Sequence, residues 1–194
     1  MRIAFLGDSL TEGWPGAAFF PLLEERFAAH QLVNLGRAGD SVADLLRRVP
    51  RQDPGSVDLA FVWIGVNDAV AGAWDAVGDS AAWSWESRLV GIAADYERVL
   101  AWTAQRAPRI VCVRPLVLEA EGSAWEAHAD QLGDAVARCA GALPAARILD
   151  LRPAFAEAAA AGHGPFTVDG VHFTAAGAAV VAAAFAREIV AAGG

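Results

Sequence analysis

Lysine is absent, and all 15 basic residues are arginine. The chain therefore has no amine side chain for Schiff-base chemistry and no lysine for a phosphate-binding P-loop. Cysteine is scarce, with two residues. Cys112 lies in an apolar strand-like run and Cys139 in a helical one. Neither has CxxC or zinc-ligand spacing, so both read as free buried thiols rather than a disulfide, as in a reducing compartment. Net positive charge is missing too. A formal charge of -8 leaves no basic stripe to neutralise phosphates, which argues against a nucleic-acid partner. The apolar run 173–186 is Ala-rich, shorter than the ~20 residues of a membrane span, and closed by Arg187 and Glu188. It reads as a buried helix. No basic segment followed by an apolar one precedes the first strand-like run, so no secretory signal is expected and the cytoplasm is the expected location.

What is present suits one globular domain over residues 1–194, with 55% hydrophobic residues for its core. Short apolar runs at 2–6, 31–35, 59–64, 109–113 and 147–151 have the length of buried strands. Helical patterns alternate with them. Phe19–Phe27 places Pro21 in a first turn, Ser41 and Asp44 resemble a helix start ahead of 42–49, and further helices are expected over about 84–107, 124–143, 153–161 and 175–192. The stretch 69–83 has no clear pattern. Such alternation requires an α/β fold: a parallel sheet covered by helices on both faces and joined by right-handed crossovers.

In a parallel sheet every strand-to-helix loop opens at the carboxyl edge, so distant segments can meet there. Four segments carry the chemistry: 7–13 around Ser9, 34–41 around Gly39, 65–68 around Asn67, and 169–172 with Asp169 and His172. A serine hydroxyl is a poor nucleophile unless a base takes its proton and a third group holds that base in the right tautomer. His172 fits the base. Asp169, three residues earlier, can turn back to the imidazole Nδ1–H and leave Nε2 for Ser9. Negative charge developing on an attacked carbonyl needs preorganised donors, for which Ser9 N–H, Gly39 N–H and the Asn67 side-chain amide are the available set.

In order, Gly7-Asp8-Ser9-Leu10, the Gly39 loop, Gly65-Val66-Asn67-Asp68 and Asp169-Gly170-Val171-His172 resemble the four sequence blocks of the SGNH (GDSL) hydrolases. The blocks span almost the whole chain. The resemblance implies a flavodoxin-like three-layer α/β/α fold with strand order 2-1-3-4-5 and a serine esterase acting through an acyl-enzyme, with no metal and no cofactor. It also implies Ser9, Asp169 and His172 as catalytic residues, with Ser9, Gly39 and Asn67 as the oxyanion hole. The second block reads Gly39-Asp40-Ser41 where relatives often carry threonine, which leaves Gly39 in place. The G-x-S-x-G elbow of the larger α/β-hydrolases is lacking. Asp8 and Asp68 match the blocks as well and read as loop-bracing acceptors rather than acids.

Other residues carry weaker signals. His30 at a helix end is expected to be structural, His128 to lie on a solvated helix face, and His163 to stand in a loop shortly before Asp169. Trp14 and Trp74 are candidates for the wall of a substrate pocket. Trp63 reads as core, and Trp83, Trp85, Trp102 and Trp125 as helix-to-sheet packing. Arg114 either faces the crevice or makes a surface ion pair. The expected partner is a small-molecule ester; the short chain leaves little room for a large lid, and a compact crevice with nearby tryptophans favours short acyl groups such as those of acetylated sugars. An acyltransferase with the same triad, or a non-catalytic binding module on the same fold, are the alternatives.

Overall fold

The computed structural model describes residues 1–75, 84–118 and 123–193, apart from the side chains of Trp74 and Asp75. The five apolar runs form β1 (Arg2–Gly7), β2 (Gln31–Gly36), β3 (Leu59–Trp63), β4 (Ile110–Val113) and β5 (Ala146–Leu149). All four pairings are parallel, in the order β2-β1-β3-β4-β5. The order is the one expected. It puts β1 between β2 and β3, so the chain leaving each of these three strands emerges at the same edge.

Burial on both faces is written into the strand residues. Ile3, Phe5, Phe61, Trp63 and Val111 join one core cluster, while Ala4, Leu6, Ala60, Val62 and Cys112 join the other. This alternation is the period of two expected of a strand. The first cluster is closed by α2 (Phe20–Arg26), α7 (Arg152–Ala160) and α8 (Ala175–Ala191), through Leu23, Phe155, Val181 and Phe185. Aromatic rings fill its centre. Phe61 stacks on Phe5 with centroids 4.8 Å apart and on Phe185 at 4.7 Å. The second cluster is closed by α3 (Val42–Arg48), α5 (Trp85–Ala104) and α6 (Ala124–Gly141), through Leu45, Val99 and Leu132.

Helix starts follow their capping residues. Ser41 accepts the Asp44 N–H and Asp44 accepts the Ser41 N–H, a capping box that satisfies two otherwise orphaned donors. Ser84, Ser123 and Thr174 cap α5, α6 and α8 by accepting the N–H of Ser87, Glu126 and Gly177. One helix was not expected. Residues Val66–Asp75 form α4, so Asn67 and Asp68 sit in a first helical turn rather than in a loop. Its signal was masked by Gly72, a poor helix former. The structure gives the reason for that glycine: a Cβ there would lie 2.5 Å from the Trp85 ring. The rest of the unpatterned stretch, with Trp83, lies outside the described residues.

Cys112 and Cys139 are buried and free, and burial pushes the Cys112 thiol up to about 12. Among the described residues no helix is long and apolar enough to cross a membrane.

Candidate active site

Asp8 follows β1 directly and caps a single helical turn, α1 (Ser9–Glu12), by accepting the Leu10 N–H at 3.0 Å. Ser9 thus stands at the mouth of the strand, its residue only 3% exposed. The turn fits only because residue 7 is glycine: a Cβ there would lie 2.3 Å from the Trp63 carbonyl of β3. Asp8 is a brace, as expected, but an unusual one. Burial raises its carboxyl to about 7, with the charges of Asp68 and Asp40 adding to the effect and the Leu10 N–H opposing it. Asp68 is the second brace. Its carboxylate accepts the Val42 N–H at 3.0 Å and ties α4 to α3, and burial raises it to about 6.

His172 arrives from the turn before α8. Asp169 Oδ1 accepts the backbone N–H groups of Val171 at 3.0 Å and His172 at 2.7 Å, folding the segment onto its own carboxylate. Asp169 Oδ2 lies 2.7 Å from His172 Nδ1, and His172 Nε2 lies 3.1 Å from Ser9 Oγ. A carboxylate facing Nδ1 fixes the proton there and leaves the Nε2 lone pair for the serine hydroxyl. Partial burial pushes the Asp169 carboxyl up, but the N–H bonds of His172, backbone and ring, together with Val171 N–H, outweigh it, and the net shift is downward. Asp169 is therefore ionised at neutral pH. The segment is anchored on both sides, since Leu118 N–H donates to Gly170 O at 3.0 Å and Ala17 N–H to Phe173 O at 2.8 Å.

The Gly39 loop packs beside Ser9 through contacts that the sequence did not announce. Asn34 donates to Thr11 O at 2.8 Å, and the Glu12 carboxylate accepts the Ala38 N–H at 2.6 Å. Asp40 N–H turns back to Arg37 O at 3.2 Å. Gly39, at φ +81, lies between these two engaged amides in a conformation L side chains rarely adopt. Neither its N–H nor that of Ser9 donates to a protein group among the described residues. Asn67 Nδ2 donates to Asp40 O at 2.9 Å, which fixes the amide beside the same loop and leaves its second N–H. A cavity of about 680 Å³ opens against Gly39 and Asn67, lined also by Ala71, Arg88, Gly91 and Ile92. Its size is that of a small-molecule pocket.

The remaining candidates separate. His128 does not lie on a solvated face: its ring stacks on Trp85 at 4.0 Å, with Nδ1 3.2 Å from Ala69 O of α4. Helical periodicity misled here because Glu126 and Asp130 flank a position that turns inward. Trp85 packs against α6, donating to Gln131 at 2.6 Å. His30 stacks on Phe27 with centroids 5.7 Å apart, a structural contact. His163 is exposed and Trp63 is core. Trp102 lies under the Arg106 guanidinium at 3.9 Å. Arg114 makes the ion pair, 2.7 Å from Asp134, and does not face the crevice. Trp14 is 68% exposed directly after α1 and is not part of the lining of the cavity at Gly39. The Trp74 side chain lies outside the described residues. One buried arginine, Arg48, was missed altogether. Its signal was position, since it falls on the apolar stripe of Val42 and Leu45.

The model of the GDSL-like Lipase/Acylhydrolase family matches residues 5–180. The structure is similar to LAE5, an alpha/beta hydrolase enzyme from the metagenome of Lake Arreo, Spain, at 24% identity over 99% of this chain and 94% of that one, with a TM-score of 0.78. It is also similar to the acetyl xylan esterase AlAXEase, at 19% identity over 97% of this chain and 100% of that one, TM-score 0.77. A third similar structure is Axe2, an acetylxylan esterase from Geobacillus stearothermophilus, at 24% identity over 97% and 93%, TM-score 0.72. At these identities the likeness is one of fold. Among curated proteins no relative matches.

Proposed function

We propose that this chain, which belongs to the GDSL-like lipase/acylhydrolase family, hydrolyses carboxylic esters by transient acylation of Ser9, with His172 and Asp169 completing the triad. The observation that carries the reading is the continuous path from Ser9 Oγ to His172 Nε2 at 3.1 Å and from His172 Nδ1 to Asp169 at 2.7 Å. Ester hydrolysis itself is the activity of the family. His172 Nε2 takes the hydroxyl proton as Ser9 Oγ adds to the ester carbonyl, and Asp169 stabilises the imidazolium that forms. The carbonyl oxygen becomes an oxyanion, held by Ser9 N–H, Gly39 N–H and the Asn67 amide. Collapse expels the alcohol, which receives the proton from His172. Water then adds to the acyl-enzyme with His172 again as base, and the acid leaves with Ser9 restored.

Short acyl groups on a carbohydrate are the substrates this reading favours. Two similar structures are acetylxylan esterases, and the cavity at Gly39 and Asn67 has room for a sugar-sized moiety. Trp14, exposed beside α1, is a platform on which a sugar ring can stack. The reading takes residues 1–194 as one hydrolase domain.

The test is Ser9→Ala assayed on p-nitrophenyl acetate and on acetylated xylo-oligosaccharides. The expected result is a loss of at least ~10³-fold in kcat with an unchanged melting curve. Substantial turnover by the variant refutes the assignment. A preference of the parent enzyme for long acyl chains over acetyl refutes the substrate class while leaving the triad standing.

A further inference from the structure

We propose that Arg48 is a positioning residue for the Ser9 chemistry, one guanidinium that holds the nucleophile strand and the oxyanion loop in register. The inference rests on the Ser9 reading above. Arg48 comes from the last turn of α3, where a basic residue ordinarily reaches out toward the helix carbonyls and solvent. Here the side chain is 9% exposed and turns inward. Its Nε pairs with the Asp40 carboxylate. Its Nη2 donates to two backbone carbonyls, Gly7 O at 2.9 Å and Leu35 O at 2.8 Å, and its Nη1 to Gln52 at 2.7 Å.

The partners decide what this does. Gly7 is the last residue of β1, two before Ser9, and Leu35 pairs with Leu6 in the register of β2. Asp40 follows Gly39 directly, and the Asp40 carbonyl accepts the Asn67 amide at 2.9 Å. A single planar fork thus touches the strand that delivers Ser9, the strand that leads into the Gly39 loop, and the residue that orients Asn67. Buried ion pairs add little net stability, because desolvation offsets the attraction. Their fixed geometry is what the fold gains. A point-charge ammonium can neutralise Asp40 but cannot reproduce the spread of donors at Nε and Nη2.

Two variants test this in the full chain, Arg48→Lys and the charge-free pair Arg48→Met with Asp40→Asn. Each is assayed for melting temperature, for kcat and KM on p-nitrophenyl acetate, and for inhibition by a trifluoromethyl ketone that mimics the tetrahedral adduct. The expected result for folded protein is a fall in kcat of about 30- to 100-fold with KM within about 3-fold. Affinity for the ketone should weaken by a similar factor. A folded Arg48→Lys enzyme with kcat within about 3-fold of the parent overturns the proposal. So does a loss of activity in both variants that merely follows the unfolded fraction. Ser9→Ala run alongside separates the two readings: if it is inactive while Arg48→Lys is not, only the Arg48 role fails, and if it is active, the Ser9 reading itself fails.

Discussion

Ser9 and His172 are separated by 163 positions in the chain and by 3.1 Å in space. At the scale of single residues, two substitutions probe what that contact is for. Asp169→Asn keeps the size of the side chain but faces Nδ1 with an amide, which no longer fixes the ring tautomer. A fall of about 10⁴-fold in kcat is expected, measured on p-nitrophenyl acetate. Asn67→Ala removes one of the three proposed oxyanion donors, and a loss of about 10²- to 10³-fold in kcat with little change in KM is expected. A proportional rise in KM instead would make Asn67 a ground-state binder. The placement of these residues was legible because the roles proposed for them require particular side chains at particular spacings. Asp169 three residues before His172 announces the contact between its carboxylate and Nδ1. Arg48 and Glu12 were not read, since part of what each binds is backbone, and a carbonyl of Gly7 or an N–H of Ala38 leaves no mark on composition.

Secondary-structure elements were read with uneven success, and the failures have physical causes. The inner strands β1, β3 and β4 declared themselves because both faces are covered, so each reads as an apolar run, whereas the edge strands β2 and β5 are only partly buried and carry Gln31, Asn34 and Arg147. Helix α4 did not, because Gly72 satisfies a tertiary need at the expense of local propensity. In an open helix, Gly72→Ala would stabilise by about 1 kcal/mol. Here the added Cβ meets the Trp85 ring at 2.5 Å and His128 Nδ1 at 3.2 Å. The clash wins, so the melting temperature of Gly72→Ala should fall, and because α4 carries Asn67, kcat should fall with it. A rise in melting temperature would show that Trp85 and His128 can move aside. The same reasoning explains His128, whose ring was assigned to solvent from its acidic neighbours while its actual contacts come from α4 and α5.

For the molecule as a whole, the site imposes a pH-dependent stability. Asp8 is raised to about 7 and Asp68 to about 6 by burial, against 3.8 for the reference carboxyl. Below about pH 4 both are protonated in folded and unfolded chains alike. Between there and about pH 7 the folded protein holds protons that the unfolded chain has lost, so stability declines as pH rises through this window. Asp8→Asn keeps an acceptor for the Leu10 N–H without the buried charge. Urea unfolding at pH 5 and pH 8 should show a decline in the parent that is smaller in the variant, by roughly 2–4 kcal/mol at most. Equal declines would mean that Asp8 is solvated. The core imposes no such dependence. Phe185 contacts Phe5, Phe19, Phe61 and Trp63, and Phe185→Ala should destabilise by about 3–5 kcal/mol at either pH.

Whether this sheet edge assembles a serine nucleophile from four distant segments is best decided by a fluorophosphonate probe. The folded protein is treated with the probe, digested and mapped by mass spectrometry, with Ser9→Ala and heat-unfolded protein as controls. A single adduct on Ser9, formed only by the folded parent chain, is expected. Labelling that is absent, falls on another residue, or persists in Ser9→Ala would contradict it.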